Sequence, residues 1–344
     1  MRAAVLRAGE LTVRETADPE PGPGQLLLRT LSCAVCASDV HFMDHGADDA
    51  GDGLFGGYDA QADVVMGHEF VGEVVGHGAD VDERDFPLGS RVTSIPFLMT
   101  ADGGRIVGQH TDAPGGFGER MLVSRDLARV LPETVADDTA ALVDAFAVGE
   151  GYVRQSGITG GEVPVVLGAG AIGLSAVAAL DRRGIASIVV SDFNPQRRQL
   201  AKTFGADVTV DPAAESPYDA WHRESPAGSR CFVYECVGAP GIVRTIASEC
   251  PNGSLISCAG GHYTDDKLDI ATATRNGLKF HFGGVPELDD WYGTLDAVLV
   301  GRLDPSPAIG SIIGLDGVAD ALDAVRNAHG PPRIVVKPNG TEAR

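Results

Sequence analysis

Residues 163–182, "VPVVLGAGAIGLSAVAALDR", put an apolar run, a glycine turn and a helically spaced stretch in immediate succession. The turn spells Gly168-x-Gly170-x-x-Gly173. Few folds accept that order. Gly168 permits a tight turn, Gly170 lets a backbone approach a pyrophosphate, and Gly173 lets the helix pack close to the strand. The helix N-terminus then offers N–H donors to phosphate. "ASIVVSD" follows as another short apolar run, and "NPQRRQLAKTFGA" is helical; "DVTV", "CFVYECVG" and "GSLISCAGG" continue the alternation. Strands alternating with helices build a parallel, doubly wound sheet. Ala171 and Ile172 complete the turn. Asp192, nineteen residues after Gly173, ends the next predicted strand. A carboxylate there accepts hydrogen bonds from ribose hydroxyls and repels a 2′-phosphate, which favours NAD over NADP. Arg197 and Arg198 stand nearby and read as exposed helix residues.

The chain before this region has another character. "QLLLRTL", "EFVGEVVG", "RVTSI" and "ERMLV" are short β-like runs separated by turn signals. They predict a β-rich, partly barrel-like domain. With 344 residues, more than one core is expected. The aperiodic stretch 44–63 reads as a long loop. After about residue 285, two amphipathic helices and a closing strand, "PRIVVKP", complete the chain.

Charge narrows the partners. Twenty-seven Lys and Arg against 48 Asp and Glu give a net charge of −21, which repels nucleic acid and anionic membranes alike. No apolar run reaches the length of a membrane span. The six cysteines lie in a long chain whose start lacks a signal-like apolar core, so reduced thiols and a cytoplasmic setting are expected. Cys231, Cys236, Cys250 and Cys258 read as core or lining residues.

"SCAVCASDVH", residues 32–41, concentrates chemistry. Cys33-x-x-Cys36 invites a redox or a structural-zinc reading, and Ser38, Asp39 and His41 a catalytic one. His68 and Glu69 follow in "VMGHEFVGEVVG".

Taken in order, "CASDVH", "GHEFVGEVVGHG", "GGFGERMLV", "DAFAVGEG", "VLGAGAIG", "VVSDFNPQRRQLAKTFGAD" and "ECVG" resemble the zinc-dependent alcohol dehydrogenases of the medium-chain dehydrogenase/reductase superfamily across nearly the whole chain. The resemblance implies an α/β architecture: a GroES-like β-rich catalytic domain (residues 1–150), a Rossmann dinucleotide-binding domain (151–285) and a C-terminal segment (286–344) that completes the catalytic domain. It implies Cys36, His68 and Asp144 as ligands of one catalytic zinc, with Glu69 as a neighbouring carboxylate able to substitute. Asp39 orients the ligand histidine, Ser38 receives the alcohol's proton, and His41 ends that relay. Val237 and Gly238 join the cofactor site. Cys33 stands where many relatives carry a cysteine that binds no metal. Phe97, Met99 and Phe117 are candidates for the substrate cleft or for core.

One part of the family pattern is missing. The position of a four-cysteine structural-zinc lobe is held by "FLMTADGGRIVGQHTDAPGGF", without a cysteine, so one zinc per chain is expected. "LKFHFGG", residues 278–284, resembles the family's interface strand, which implies a homodimer or homotetramer. The activity expected is interconversion of an alcohol and its carbonyl by hydride transfer with NAD. Three other readings compete: a polyol or sugar dehydrogenase, a zinc-free quinone or enone reductase, and a non-catalytic NAD-binding protein.

Overall fold

The computed structural model describes residues 1–46, 59–262, 265–283, 286–327 and 330–340. Most of the expected 44–63 loop, residues 47–58, lies outside them.

The chain divides into two compact units, Met1–Asp144 with Ile309–Arg344, and Ala145–Ala308. The second unit therefore begins a few residues before 151 and takes in residues 286–308. A local reason is visible. Asp290, on the helix Leu288–Leu299, is 3% exposed and accepts a hydrogen bond from Arg154 Nε at 2.7 Å. This pairing ties that helix to Val143–Ser156, where Arg154 sits in the last turn.

The first unit is built on β-sheet. A seven-stranded sheet centres on the long strand Gln25–Ala34, which pairs antiparallel with Glu69–His77, Arg120–Ser124 and Arg333–Val336. A three-stranded sheet adds Arg2–Arg7, Glu10–Glu15 and Val64–Val65. Leu26, Leu28, Phe70, Val74, Val92, Met121, Ile334 and Val336 supply much of the core. Phe117 is fully buried with them, while Met99 is half-exposed. The cysteine-free segment forms a hairpin, Phe97–Thr100 paired with Gly103–Ile106.

Register decides what meets at the end of the central strand. Ala34 faces Glu69 on one side and Val335 on the other. Val35 N–H donates to Ile334 C=O at 2.9 Å, which carries the pairing one step beyond the strand. His68 and Arg333 consequently flank the stretch that contains Cys36.

The second unit holds a six-stranded parallel sheet. Its strands run from edge to edge as Val208–Val210, Val189–Ser191, Pro164–Leu167, Phe232–Glu235, Leu255–Cys258 and Lys279–Phe282. That is the order 3-2-1-4-5-6 of the doubly wound dinucleotide fold. Short, fully buried strands such as "PVVL" and "FVYE" have no polar face because helices cover both sides.

Candidate metal and cofactor sites

Cys36 is the N-cap of the helix Ala37–His45. Its N–H donates to Asp39 Oδ2 at 2.9 Å, so a buried carboxylate three residues on closes the helix start. The other oxygen of Asp39 lies 3.0 Å from His68 Nδ1, and Asp39 is 0% exposed. A carboxylate oxygen accepts, so Nδ1 carries the hydrogen of that bond, and Nε2 is the ring atom turned toward Ser38. Ser38 Oγ is 3.1 Å from Cys36 Sγ and 3.1 Å from His68 Nε2. One turn further along the same face, His41 is half-buried beside His45, their ring centroids 5.2 Å apart.

The ligand atoms of Cys36, His68 and Glu69 lie within 4.8 Å of one another. A thiolate, an imidazole and a carboxylate converging on one point fit zinc, which takes S, N and O donors. Asp144 stands in the first turn of Val143–Ser156, half-buried and outside this trio, close enough to Arg333 to stabilise its charge.

Burial and close charges shift all three groups. Burial alone would raise the Cys36 thiol, but the hydrogen bond and charge of His68, with Arg333, bring it down to about 6. His68 moves the opposite way. Burial opposes its protonation, yet Asp39 and Cys36 hold it well above its ordinary value. Burial pushes Glu69 up to about 8 against the opposing pull of Arg333. Cys33 is fully buried among negative neighbours, and burial keeps its thiol protonated, which argues against a redox pair with Cys36.

Arg333 is the residue that reading the sequence missed. It is 2% exposed, lies 3.1 Å from Glu69 Oε2, and donates from Nη1 to Val35 C=O at 3.2 Å. Its Nε and Nη2 make no hydrogen bond among the described residues. The available cue was a cation opening an otherwise apolar strand, "RIVV", where a buried strand rarely tolerates one.

The glycine turn occupies the carboxyl edge of the parallel sheet. Gly168 has φ +89°, a left-handed conformation that favours glycine, and its N–H donates to Ser191 C=O at 2.8 Å. A Cβ on Gly173 would lie 1.8 Å from Gly168 C=O, so only glycine lets the helix Ala171–Arg182 start here. Gly170 is its N-cap, and Ala171 and Ile172 form its first turn, half-buried. Asp192 Oδ2 accepts from Ala169 N–H at 2.8 Å, and Oδ1 from Asn194 N–H at 2.7 Å. The carboxylate is thereby held against the glycine turn. Arg198 bends back onto Asp192 C=O at 2.7 Å, and both Arg197 and Arg198 are half-buried rather than exposed. Val237 is half-exposed beside Gly168, and Gly238 has φ +70°.

Comparison with known proteins gives the same grouping. The alcohol dehydrogenase GroES-like domain matches residues 22–133, and the zinc-binding dehydrogenase domain matches residues 171–299. The chain belongs to the zinc-binding alcohol dehydrogenase family of the medium-chain dehydrogenase/reductase superfamily. It is a zinc-dependent dehydrogenase, an oxidoreductase. L-threonine 3-dehydrogenase of Alteromonas mediterranea is 28% identical over 329 residues, covering 92% of this chain and 93% of that protein. A putative zinc-binding dehydrogenase from Sinorhizobium meliloti, bound to NADP, superposes with a TM-score of 0.81 at 26% identity over 98% of this chain and 99% of that one. The fold is shared with 2R,3R-butanediol dehydrogenase from Bacillus subtilis at a TM-score of 0.82 and 24% identity, over 98% and 99% of the two chains.

Proposed function

We propose that the protein is an NAD-preferring dehydrogenase that interconverts a small secondary alcohol and its ketone at one zinc per chain. The observation that carries this reading is the Ser38 hydroxyl, equidistant at 3.1 Å from Cys36 Sγ and His68 Nε2. A structural metal site has no use for a proton-accepting hydroxyl between two of its ligands.

Cys36 and His68 would hold the zinc with a carboxylate. Glu69 is the one gathered with them, and Asp144 is the one the family resemblance assigns. Zinc in such a site supplies Lewis-acid polarisation of the alcohol or carbonyl oxygen, and NAD supplies the hydride acceptor. Asp39 fixes the His68 ring so that Nε2 faces the ligand point. Ser38 Oγ would accept the substrate's hydroxyl proton as it releases its own, and His41, three residues on along the same helix face, is the group toward which the released proton leaves. Asp192 is placed to accept from the adenosine ribose, and its charge disfavours a 2′-phosphate.

The relatives bear on the substrate. L-threonine and 2,3-butanediol are secondary alcohols with a neighbouring amine or hydroxyl, so a 1,2-amino alcohol or vicinal diol is the class to screen first. A polyol dehydrogenase is the second reading, favoured by the fold shared with galactitol-1-phosphate dehydrogenase from Escherichia coli. Among the described residues the strand Lys279–Phe282 is one of the two edges of the parallel sheet, with Phe282 67% exposed. That edge suits pairing with a second copy, as a homodimer or a homotetramer. Among the described residues no helix is long and apolar enough to cross a membrane. The six cysteines are free thiols, which suits a reducing cytoplasm.

The test is metal content and turnover of protein purified without added metal. About one zinc per chain is expected from a single three-ligand site. NADH should then form on a panel of amino alcohols, diols and polyols. Cys36→Ala and His68→Ala should lose both metal and activity while retaining NADH binding; full activity in Cys36→Ala rejects the zinc assignment. Glu69→Ala and Asp144→Ala should each weaken metal retention, and the greater loss identifies the resident third ligand. Asp192→Ala should shift the NAD to NADP preference about tenfold or more towards NADP, the worth of hydrogen bonds to a charged group. An unchanged ratio removes Asp192 from the site.

A further inference from the structure

Glu235 ends the fourth strand of the parallel sheet and is 0% exposed. A buried carboxylate needs either a cation or several donors. Glu235 has donors from two different segments. Oε1 accepts from Val237 N–H at 2.6 Å and Gly238 N–H at 2.8 Å. Oε2 is 2.7 Å from Nε2 of His262, whose side chain is 20% exposed. The Glu235 backbone C=O accepts from Ala259 N–H at 2.7 Å and Gly260 N–H at 2.8 Å. One residue therefore fastens the turn 236–238 to the loop 259–262 that follows the fifth strand.

The two segments are packed with no spare room. A Cβ on Gly260 would lie 2.3 Å from Gly238 N and 2.7 Å from Glu235 Oε2. A Cβ on Gly238 would lie 2.5 Å from Gly261 C=O, and one on Gly168 would lie 2.9 Å from Val237 Cγ2. The glycine turn, the 236–238 turn and the 259–262 loop thus stand side by side at the carboxyl edge of strands one, four and five. In this topology a dinucleotide lies across the switch between strands one and four. Asp192 follows strand two, Val189–Ser191, and marks the adenosine side. The other half of the cofactor then falls over strands four and five, where Glu235 and His262 are joined.

We infer that Glu235 and His262 are positioning residues for the nicotinamide half of the cofactor: the His262–Glu235 hydrogen bond holds the loop 259–262 against the 236–238 turn in the conformation that receives the ring. This rests on the dinucleotide reading of the glycine turn and Asp192. His262 acts through the loop and takes no part in hydride transfer. Its loss leaves the loop with only its Ala259 and Gly260 N–H bonds to the Glu235 C=O, while the adenosine side keeps Asp192 and the helix N-terminus.

The experiment measures dissociation constants of NADH and of ADP-ribose, which lacks the nicotinamide, on the full-length protein. The variants are His262→Ala, His262→Gln and, as a control on the other side, Asp192→Ala. His262→Ala should weaken NADH about tenfold, the loss of one charge-assisted hydrogen bond, and leave ADP-ribose unchanged. His262→Gln keeps an amide donor and should recover most of the NADH affinity. Asp192→Ala should weaken both ligands. Equal weakening of both ligands by His262→Ala, an unchanged NADH constant, or Gln performing no better than Ala overturns the inference. If instead Asp192→Ala leaves both ligands untouched, the dinucleotide reading itself fails. Melting temperatures of all three variants are taken alongside; a fall in His262→Ala that Gln does not restore, with both constants weakened, marks a merely structural pair.

Discussion

Cys36 owes its low thiol value to neighbours that its own segment does not contain. His68, just before the strand Glu69–His77, and Arg333, which opens the strand Arg333–Val336, reach it from elsewhere in the chain, and together they overcome the cost of burial. The sign is direct: a value lowered to about 6 leaves the thiolate as the main form above that pH, and protonation returns below it. Iodoacetamide should therefore alkylate Cys36 in metal-free protein with a midpoint near pH 6, and added zinc should block the reaction. A midpoint near the ordinary thiol value of 9.0 would show that His68 does not stabilise the charge. Asp39 has a separate role. Asp39→Asn keeps the shape but gives His68 Nδ1 a weaker acceptor, and zinc affinity should fall roughly 10–100-fold by competition with a chelator. Retained affinity would mean that Cys36 and the carboxylates already orient the site. At this scale the sequence offered Cys36, Ser38, Asp39, His41, His68 and Glu69 by type and spacing. Their mutual distances were not legible, because they depend on the pairing of Ala34 with Glu69.

Elements show why some motifs read clearly. The strand, turn and helix of residues 164–182 form from local rules: a buried apolar strand, a left-handed glycine and a helix start without a Cβ in its way. Gly173→Ala tests this. The added methyl would meet Gly168 C=O at 1.8 Å, so the turn must open. NADH binding should weaken by about tenfold or more with zinc content unchanged, since the metal residues lie in the other unit. Normal binding would show that the helix start can shift freely. The N-terminal strands were legible as runs, but their limits were less so. "QLLLRTL" extends to Ala34, because pairing on both sides continues to the last residue before the metal segment.

At the scale of the molecule, the first unit is discontinuous. Its final piece, Ile309–Arg344, returns to the sheet that the first 144 residues build. The strand Arg333–Val336 therefore supplies part of the metal site's wall. A chain ending at residue 330 should lose zinc binding, read as metal content after desalting; retention would show that the strand is dispensable. A milder change separates charge from strand. In metal-free protein above about pH 8, where Glu69 is ionised, Arg333→Met leaves that buried carboxylate without its cation, and the loss of one partner of a buried pair costs about 3–5 kcal/mol. Denaturant unfolding should show a loss of that order, and a loss near zero would mean that Glu69 is protonated and needs no counter-ion.

The sequence by itself determined the two kinds of architecture, the cofactor turn and the chemical types in the metal segment. Each of these rests on interactions within a few residues: alternation, helical spacing, glycine conformation and a helix cap. Only the tertiary structure brings the ligand atoms of Glu69 within 4.8 Å of those of Cys36 and His68, and sets Arg333 3.1 Å from Glu69. It also decided that His262 meets Glu235. The separations run from 27 positions for Glu235 and His262 to 264 for Glu69 and Arg333. They are set by strand register and by the burial that forces each charge to find a partner, and neither is encoded in any one segment.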